Sequence, residues 1–455
     1  MALSIIILAA GQGTRMCSAL PKVLHEIAGK PLLEHVVETA AHLPGAQINV
    51  VYGHGGKLVP ERLAHLAVNW VEQADQLGTG HAVMQAMPAV ASADKVLVLY
   101  GDVPLIRAET LDRLLKVDGV ALLTVSLEDA TGYGRIERDQ QGHICRIIEH
   151  KDASEQQKQI QEINTGIMAC SAQQMSMWLE RLDNNNSQGE YYLTDLIEMA
   201  VADGVEVISV AAQSEAEVLG INDRVQLAAL ERVYQQEQAQ ALMRAGVTVM
   251  DPSRLDIRGV VTTGQDVVLD INVILEGKVV LGEGIQVGAN TSIRNCKIGD
   301  GVIIKQHCVL EDAEIGNDAT IGPFARIRPE ARLSEGVHIG NFVEIKKSIV
   351  GKGSKINHLS YIGDSEIGCD VNIGAGTITC NYDGAYKHKT IIGDNAFIGS
   401  DTQLVAPVTV GKGATIGAGS TITSDTPDNE LSLSRSKQIS LKGWRRPVKK
   451  PTENK

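Results

Sequence analysis

The first chemistry-bearing stretch is Leu8-Ala9-Ala10-Gly11-Gln12-Gly13-Thr14-Arg15-Met16, which closes an aliphatic run and is followed by Pro21-Lys22. Two glycines let backbone N–H groups approach phosphate oxygens closely, and Arg15 and Lys22 add two cations within reach of the same loop. The pattern is neither G-x-G-x-x-G, because Met16 stands in the last glycine's place, nor a Walker loop. Triphosphate binding is therefore favoured over a dinucleotide site. Tyr100-Gly101-Asp102 closes a second apolar run, which puts Asp102 at the carboxyl edge where open α/β sheets bind ligands. An aspartate there is commonly only a turn former, but beside a phosphate loop it suits Mg²⁺, which prefers hard oxygen ligands. Gln73, Gln76, Gly78, Thr79 and His81 offer amides and open backbone suited to a base edge, although a loop and helix N-cap would look the same.

A second set lies far downstream. Arg326 and Arg328 alternate on one exposed face, and Lys346 and Lys347 follow about 18 residues later. If 18 residues make one coil of a repeating structure, Arg328 and Lys346 stack. Stacked like charges are unfavourable unless an anion sits between them. Asn357-His358-Leu-Ser-Tyr361 falls in the next coil and brings a histidine and a tyrosine to those cations. Histidine titrates in the neutral range and can take a proton from an amine. Solvated charges and an idle surface histidine are the plainer reading.

Residues 1–221 alternate aliphatic runs with amphipathic segments. Strands are expected at Ser4–Ala10, Ile48–Tyr52, Val96–Tyr100, Ala121–Ser126 and Glu206–Val210. Helices are expected at Pro31–Ala41, Thr79–Met87 and Thr110–Lys116. This predicts an α/β domain with a mainly parallel sheet. Residues 222–246 lack glycine and proline until Gly246. Val225, Ala228, Ala229, Arg232, Val233 and Gln236 stand at helical spacing, which predicts a stiff helix of about 23 residues and roughly 35 Å between two domains.

From Leu269 to Ile422 an aliphatic residue recurs about every sixth position, through Leu275, Leu281, Ile293, Ile327, Ile345, Ile362 and Ile416 among others. Neither a helix nor an ordinary strand has that period, whereas a parallel β-helix built of three hexads per coil does. Such prisms present flat faces that pack as trimers, so a homotrimer is expected. Residues 247–455 form this domain, with a polar tail from about Ser424. The ladder lapses between Ile373 and Ile392, where an insertion is expected to form an exposed loop at the binding face.

Composition excludes several classes. Of 455 residues 44% are apolar but only 3% aromatic, which suits a narrow aliphatic solenoid. A net charge of −13 argues against a nucleic-acid partner, and the basic cluster Lys442, Arg445, Arg446, Lys449 and Lys450 reads as a solvated terminus. Seven scattered cysteines without a CxxC pair suggest reduced thiols. The run Ile5–Ala10 is too short to span a membrane and has no basic leader. A cytoplasmic protein is expected.

The segments LAAGQGTRM…PK, QLGTGHA, YGDVPL, TGYGR, EHKDA, EINTG and GINDR resemble those of sugar-1-phosphate nucleotidyltransferases. With the hexad domain, the whole chain resembles the bifunctional bacterial N-acetylglucosamine-1-phosphate uridyltransferase/glucosamine-1-phosphate acetyltransferase family. The resemblance implies a Rossmann-like nucleotidyltransferase domain, a long linker helix and a left-handed parallel β-helix. It implies acetyl transfer from acetyl-CoA to glucosamine 1-phosphate, then uridylyl transfer from UTP, giving UDP-N-acetylglucosamine for peptidoglycan and lipopolysaccharide synthesis. On that likeness Leu8, Ala9, Ala10, Gly11, Gln73, Gly78, Thr79, Tyr100 and Gly101 hold the nucleotide, and Arg15 and Lys22 neutralise the triphosphate. Gly134, Glu149 and Asn164 line the sugar pocket, and Asp102 and Asn222 hold Mg²⁺. In the second domain Arg328, Lys346, Tyr361 and Asn372 match glucosamine 1-phosphate contacts, and His358 matches the general base. Ala375, Asn381, Tyr382, Ser400, Ala418 and Arg435 match acetyl-CoA contacts, Arg435 lying beyond the last repeat. None of the cysteines aligns with a nucleophile.

Two other readings stay open. One is a single-function sugar-1-phosphate nucleotidyltransferase whose β-helix only assembles or regulates it. The other is a non-catalytic scaffold, which would predict a degraded phosphate loop, whereas Gly11, Gly13, Arg15, Lys22 and Asp102 are all present.

Overall fold

The computed structural model describes residues 2–53, 55–90 and 93–448, so Lys449 and Lys450 of the basic cluster lie outside the described residues. The chain divides into two compact units, Met1–Gln238 and Ala239–Lys455. The division falls inside the helix Arg224–Arg244, rather than on either side of it.

In the first unit, Leu3–Ala9 is aliphatic at almost every position and buried throughout, as a strand covered on both faces must be. It pairs in parallel with Ala46–Tyr52 on one side and Lys95–Tyr100 on the other. Asn69–Glu72 extends the first side. On the second side comes Glu162–Ser171, antiparallel, then Val120–Ser126 and Val207–Ala211. All five expected strands are present within two residues. The antiparallel ten-residue strand was not foreseen, because its polar Asn164-Thr165-Gly166 opening hides the period. The hairpin Arg135–Arg138/Ile144–Ile148 beside it was not foreseen either. Helices Leu32–Ala41, Thr79–Val90 and Ala108–Leu115 match expectation closely, and Ala172–Leu179 and Asp195–Ala202 add to them.

The helix Arg224–Arg244 has 21 residues, or about 31 Å at 1.5 Å per residue. Asn222 precedes it instead of opening it. The spacing noted in the sequence marks mostly its solvent side, with Val225 79% exposed, while Leu230 is buried in the first unit and Ala239 in the second.

The second unit is a parallel β-helix. One sheet of eleven short strands forms one face, and a continuous seventeen-strand sheet forms the other two. Every aliphatic residue of the ladder is buried, none more than 5% exposed. Two details correct the reading of the repeat. Coils alternate between 18 residues, as from Arg326 to Glu344, and 17, as from Glu344 to Tyr361. The ladder also does not lapse at the insertion. Thr379 takes the inward place, 1% exposed, and its hydroxyl accepts a hydrogen bond from Gly363 N at 2.8 Å. The last coil reaches Leu431–Ser432, past the expected start of the tail. All seven cysteines are free.

Candidate functional site

In the first unit the loops after Leu3–Ala9, Asn69–Glu72 and Lys95–Tyr100 leave the sheet at one edge, because these strands are parallel. A cavity of about 530 Å³ opens there, lined by Leu8, Ala9, Ala10, Gly11, Lys22, Gln73, Gly78, Thr79, Tyr100 and Asp102. Gly13 has φ 61°, and a Cβ there would lie 2.7 Å from Lys22 Cβ, so glycine is what lets the lysine close in. At Gly11, by contrast, a Cβ would meet nothing within 4 Å. Gly78, at φ 109°, abuts the Tyr191 backbone. The Gln73 amide is 3% exposed and donates to Gly78 O at 3.1 Å, fixing that loop. Gly101 N donates to Leu8 O at 2.9 Å. Arg15 is exposed on a one-turn helix, Thr14–Met16, and does not line the cavity.

Lys22 Nζ contacts Asp102 Oδ2 and donates to Asn222 Oδ1 at 3.1 Å. The two oxygens expected to hold Mg²⁺ thus already converge on one cation. They are hard donors of the right type, and the ammonium is a stand-in charge, so the pair fits a divalent ion. Among the described residues no cluster of three or more His, Cys, Asp or Glu could hold a metal alone. A site of this kind needs phosphate oxygens to complete it, as Mg²⁺ sites commonly do.

The sugar-pocket residues also converge. Asn164 N donates to Gly134 O at 2.9 Å, and a Cβ on Gly134 would lie 3.5 Å from Glu149 Oε1. Thr194 Oγ1 donates to Glu149 Oε1 at 3.0 Å. Burial raises the Glu149 pKa, against that hydrogen bond. Burial, with Glu149 next, pushes Asp195 up to about 6. Tyr100 is likewise pushed up by burial, and its ring packs where a Gly166 Cβ would be.

In the second unit a vertical column runs along one corner. Leu359 N donates to Asn341 O, Gly376 N to His358 O, Asp401 N to Ala375 O and Gly419 N to Ser400 O. His358, Ala375, Ser400 and Ala418 therefore stack coil on coil. The Arg435 guanidinium and stem lie 3.8 Å from where Cβ atoms on Gly417 and Gly419 would be. His358 Nδ1 is 2.8 Å from Asn341 Oδ1, one coil below. Above His358 the edge is lined by small side chains, an open ledge for an extended ligand.

The cations are arranged differently from the sequence reading. Arg328 is in register with Lys346, but it bridges Glu344 at 2.7 Å, and Lys346 lies 4.0 Å from Asp364. The stacked charges are thus partly neutralised by carboxylates. Lys387 from the insertion closes on Lys346, whose ammonium lowers the Lys387 pKa. Tyr361 faces Glu344 in the same strand ladder, whereas His358 belongs to the preceding strand on the other sheet. Asn372 is also on that other sheet, between Lys355 and Phe397. Asn381 Nδ2 donates to Asp364 Oδ2 at 2.6 Å, which places it with the cations and not in the column. Tyr382 is exposed, its hydroxyl donating to Gly384 O at 2.6 Å.

Residues 5–174 match the MobA-like NTP transferase domain, and residues 389–424 match the bacterial transferase hexapeptide of six repeats. The chain carries a nucleotidyltransferase domain followed by hexapeptide transferase repeats. It is a transferase. Among the described residues no helix is long and apolar enough to cross a membrane.

Several residues at these sites escaped the sequence reading. Glu190 lines the nucleotide cavity because the Tyr191 backbone pairs with Leu77 and Gly80, a contact more than 100 residues apart with no local signal. Asn341 and Asp364 were reachable in principle, since counting one 17- or 18-residue coil from His358 or Lys346 lands on each.

Proposed function

We propose that the protein makes UDP-N-acetylglucosamine by two transfers, N-acetylation of glucosamine 1-phosphate and then uridylylation of the product. What carries this reading is the co-occurrence, on one chain, of the Lys22–Asp102–Asn222 convergence and the His358–Ala375–Ser400–Ala418 column.

For acetyl transfer, the carbonyl oxygen of Asn341 accepts from Nδ1–H of His358, which leaves Nε2 with the free lone pair. That nitrogen takes a proton from the sugar amine as the amine attacks the thioester carbonyl. The C–N bond forms, the C–S bond breaks, and the thiolate of coenzyme A leaves. Acetyl-CoA lies along the small-residue ledge, and Arg328, Lys346 and Lys387 draw the sugar phosphate. No enzyme cysteine is needed.

For uridylyl transfer, a phosphate oxygen of N-acetylglucosamine 1-phosphate attacks the α-phosphorus of UTP, and pyrophosphate leaves. Such transfers depend on in-line positioning and charge neutralisation more than on an acid–base pair. Lys22 and Arg15 supply positive charge, Gly134, Glu149 and Asn164 orient the sugar, and Gln73 and Gly78 form the base side of the cavity. Mg²⁺, held by Asp102 and Asn222, supplies further charge neutralisation. The reading includes a homotrimer in the cytoplasm.

The test is incubation with glucosamine 1-phosphate, acetyl-CoA, UTP and Mg²⁺, omitting each in turn. UDP-N-acetylglucosamine should form only in the complete mixture, and N-acetylglucosamine 1-phosphate should accumulate without UTP. Uridylylation without any acetylation would leave the single-function reading, which the Glu344 and Asp364 contacts of the downstream cations also favour.

A further inference from the structure

We propose that Lys22 is a built-in stand-in for the metal: its ammonium holds Asp102 and Asn222 in place without nucleotide, then moves to the triphosphate as the ion arrives. This rests on the reading of the first unit as a metal-dependent nucleotidyltransferase.

The two donors are positioned before any ion binds. Asp102 O accepts from Ile221 N at 2.9 Å, and Asn222 N donates to Gln226 Oε1 at 2.7 Å. These bonds tie the segment before the helix Arg224–Arg244 to the end of the strand Lys95–Tyr100. The Lys22 backbone is held as well. Gly13 lies against its Cβ, and the neighbouring Pro21 ring fills the space a Gly55 side chain would need. Only the four-carbon stem is free to move, and it can swing between the carboxylate and the phosphate loop.

The ammonium has an electrostatic reason to be there. Asp102 and Lys22 side chains are 15% and 14% exposed, so a bare carboxylate would be poorly solvated. The ammonium removes that cost but competes directly with a divalent ion. An ion alone must displace it and is then held by only two protein oxygens. An ion arriving on a triphosphate brings phosphate oxygens that complete its shell and also accept Lys22. Metal and nucleotide should therefore bind cooperatively, and by linkage each raises the affinity of the other.

The probe is Mn²⁺ in place of Mg²⁺, titrated into full-length, nucleotide-free protein and followed by electron paramagnetic resonance. Wild type should bind weakly. Lys22→Met should bind on the order of tenfold tighter or more, and adding Asp102→Asn should abolish the gain. Unchanged Mn²⁺ affinity in Lys22→Met overturns the proposal. A second measurement uses wild type alone, so it does not depend on a variant folding. Lys22 should resist acylation by an amine-reactive ester in the nucleotide-free protein and become reactive at saturating Mn²⁺. Protection that persists at saturation overturns the proposal. Pyrophosphate release from UTP by wild type is assayed separately. Its absence defeats the functional reading, whereas release with unchanged Mn²⁺ affinity defeats only the role of Lys22.

Discussion

His358 Nδ1 and Asn341 Oδ1 are 2.8 Å apart and one 17-residue coil apart, so the solenoid's register itself orients the imidazole. An acceptor at Nδ1 selects the tautomer with Nε2 unprotonated, which a general base requires. His358→Ala should lower acetyl transfer about 10²- to 10⁴-fold and leave uridylyl transfer intact. Asn341→Leu should lower kcat for acetylation by roughly tenfold or more through loss of the tautomer preference, with KM for acetyl-CoA little changed. Steady-state assays of each half-reaction check both, and an unchanged acetylation rate in His358→Ala removes the second site.

Gly11 and Gly13 sit two residues apart and should respond differently to alanine. At Gly13, alanine would have to take φ 61° and place Cβ 2.7 Å from Lys22 Cβ. The left-handed conformation alone costs roughly 1–2 kcal/mol, so Gly13→Ala should lower the Tm of the first unit. Gly11→Ala meets nothing within 4 Å and should leave Tm unchanged. It should still raise KM for UTP, because the methyl group would stand in the cavity. Calorimetry and initial rates separate the two, and a destabilised Gly11→Ala would refute the distinction.

Much of this was legible in the sequence because period and position carry it. Ile327, Ile345 and Ile362 announce the solenoid by spacing alone, and each is buried. Gly11, Lys22 and Asp102 were legible because a glycine loop and two strand ends must meet at one sheet edge. Side-chain partnership was not. Arg328 and Lys346 stack as counted, yet nothing in a period reveals that Glu344 and Asp364 turn toward them. Asn381 falls in the expected loop, but its side chain bonds Asp364 across the turn, a contact only the folded insertion creates. Thr379 hid a whole coil because its hydroxyl satisfies Gly363 N where an aliphatic residue was expected.

Asp195 offers a pH test. Burial, with Glu149 next, raises its carboxyl from 3.8 to about 6. The folded state then binds more protons than the unfolded state between about pH 4 and 6. Stability contributed by this group is therefore present at low pH and lost as pH rises through about 6. Asp195→Asn should raise the Tm of the first unit at pH 7.5, and the gain should vanish near pH 4. Thermal denaturation across that range checks it, and a gain independent of pH would show that charge is not the cause.

Phe324, Phe342 and Leu359 hold the same corner in successive coils, at φ 56°, 55° and 48°. Bulky side chains avoid this conformation, yet these three are 45%, 54% and 63% exposed. The two phenyl rings stack at 5.2 Å, and His307 stacks on Phe324 at 4.8 Å. Exposed apolar rings in strained backbone gain little in a lone chain. Covered by another copy, they recover about 25 cal/mol per Å² removed from water. Phe342→Asp should shift the light-scattering mass from about three times 48.7 kDa toward that of one chain. Acetyl transfer should fall with it while uridylyl transfer persists. Phe342→Asn is the sharper variant, since asparagine suits the left-handed backbone but lacks the ring. Its trimer should dissociate on dilution although its corner is relaxed, and an unaltered trimer in both variants would place the subunit contact elsewhere.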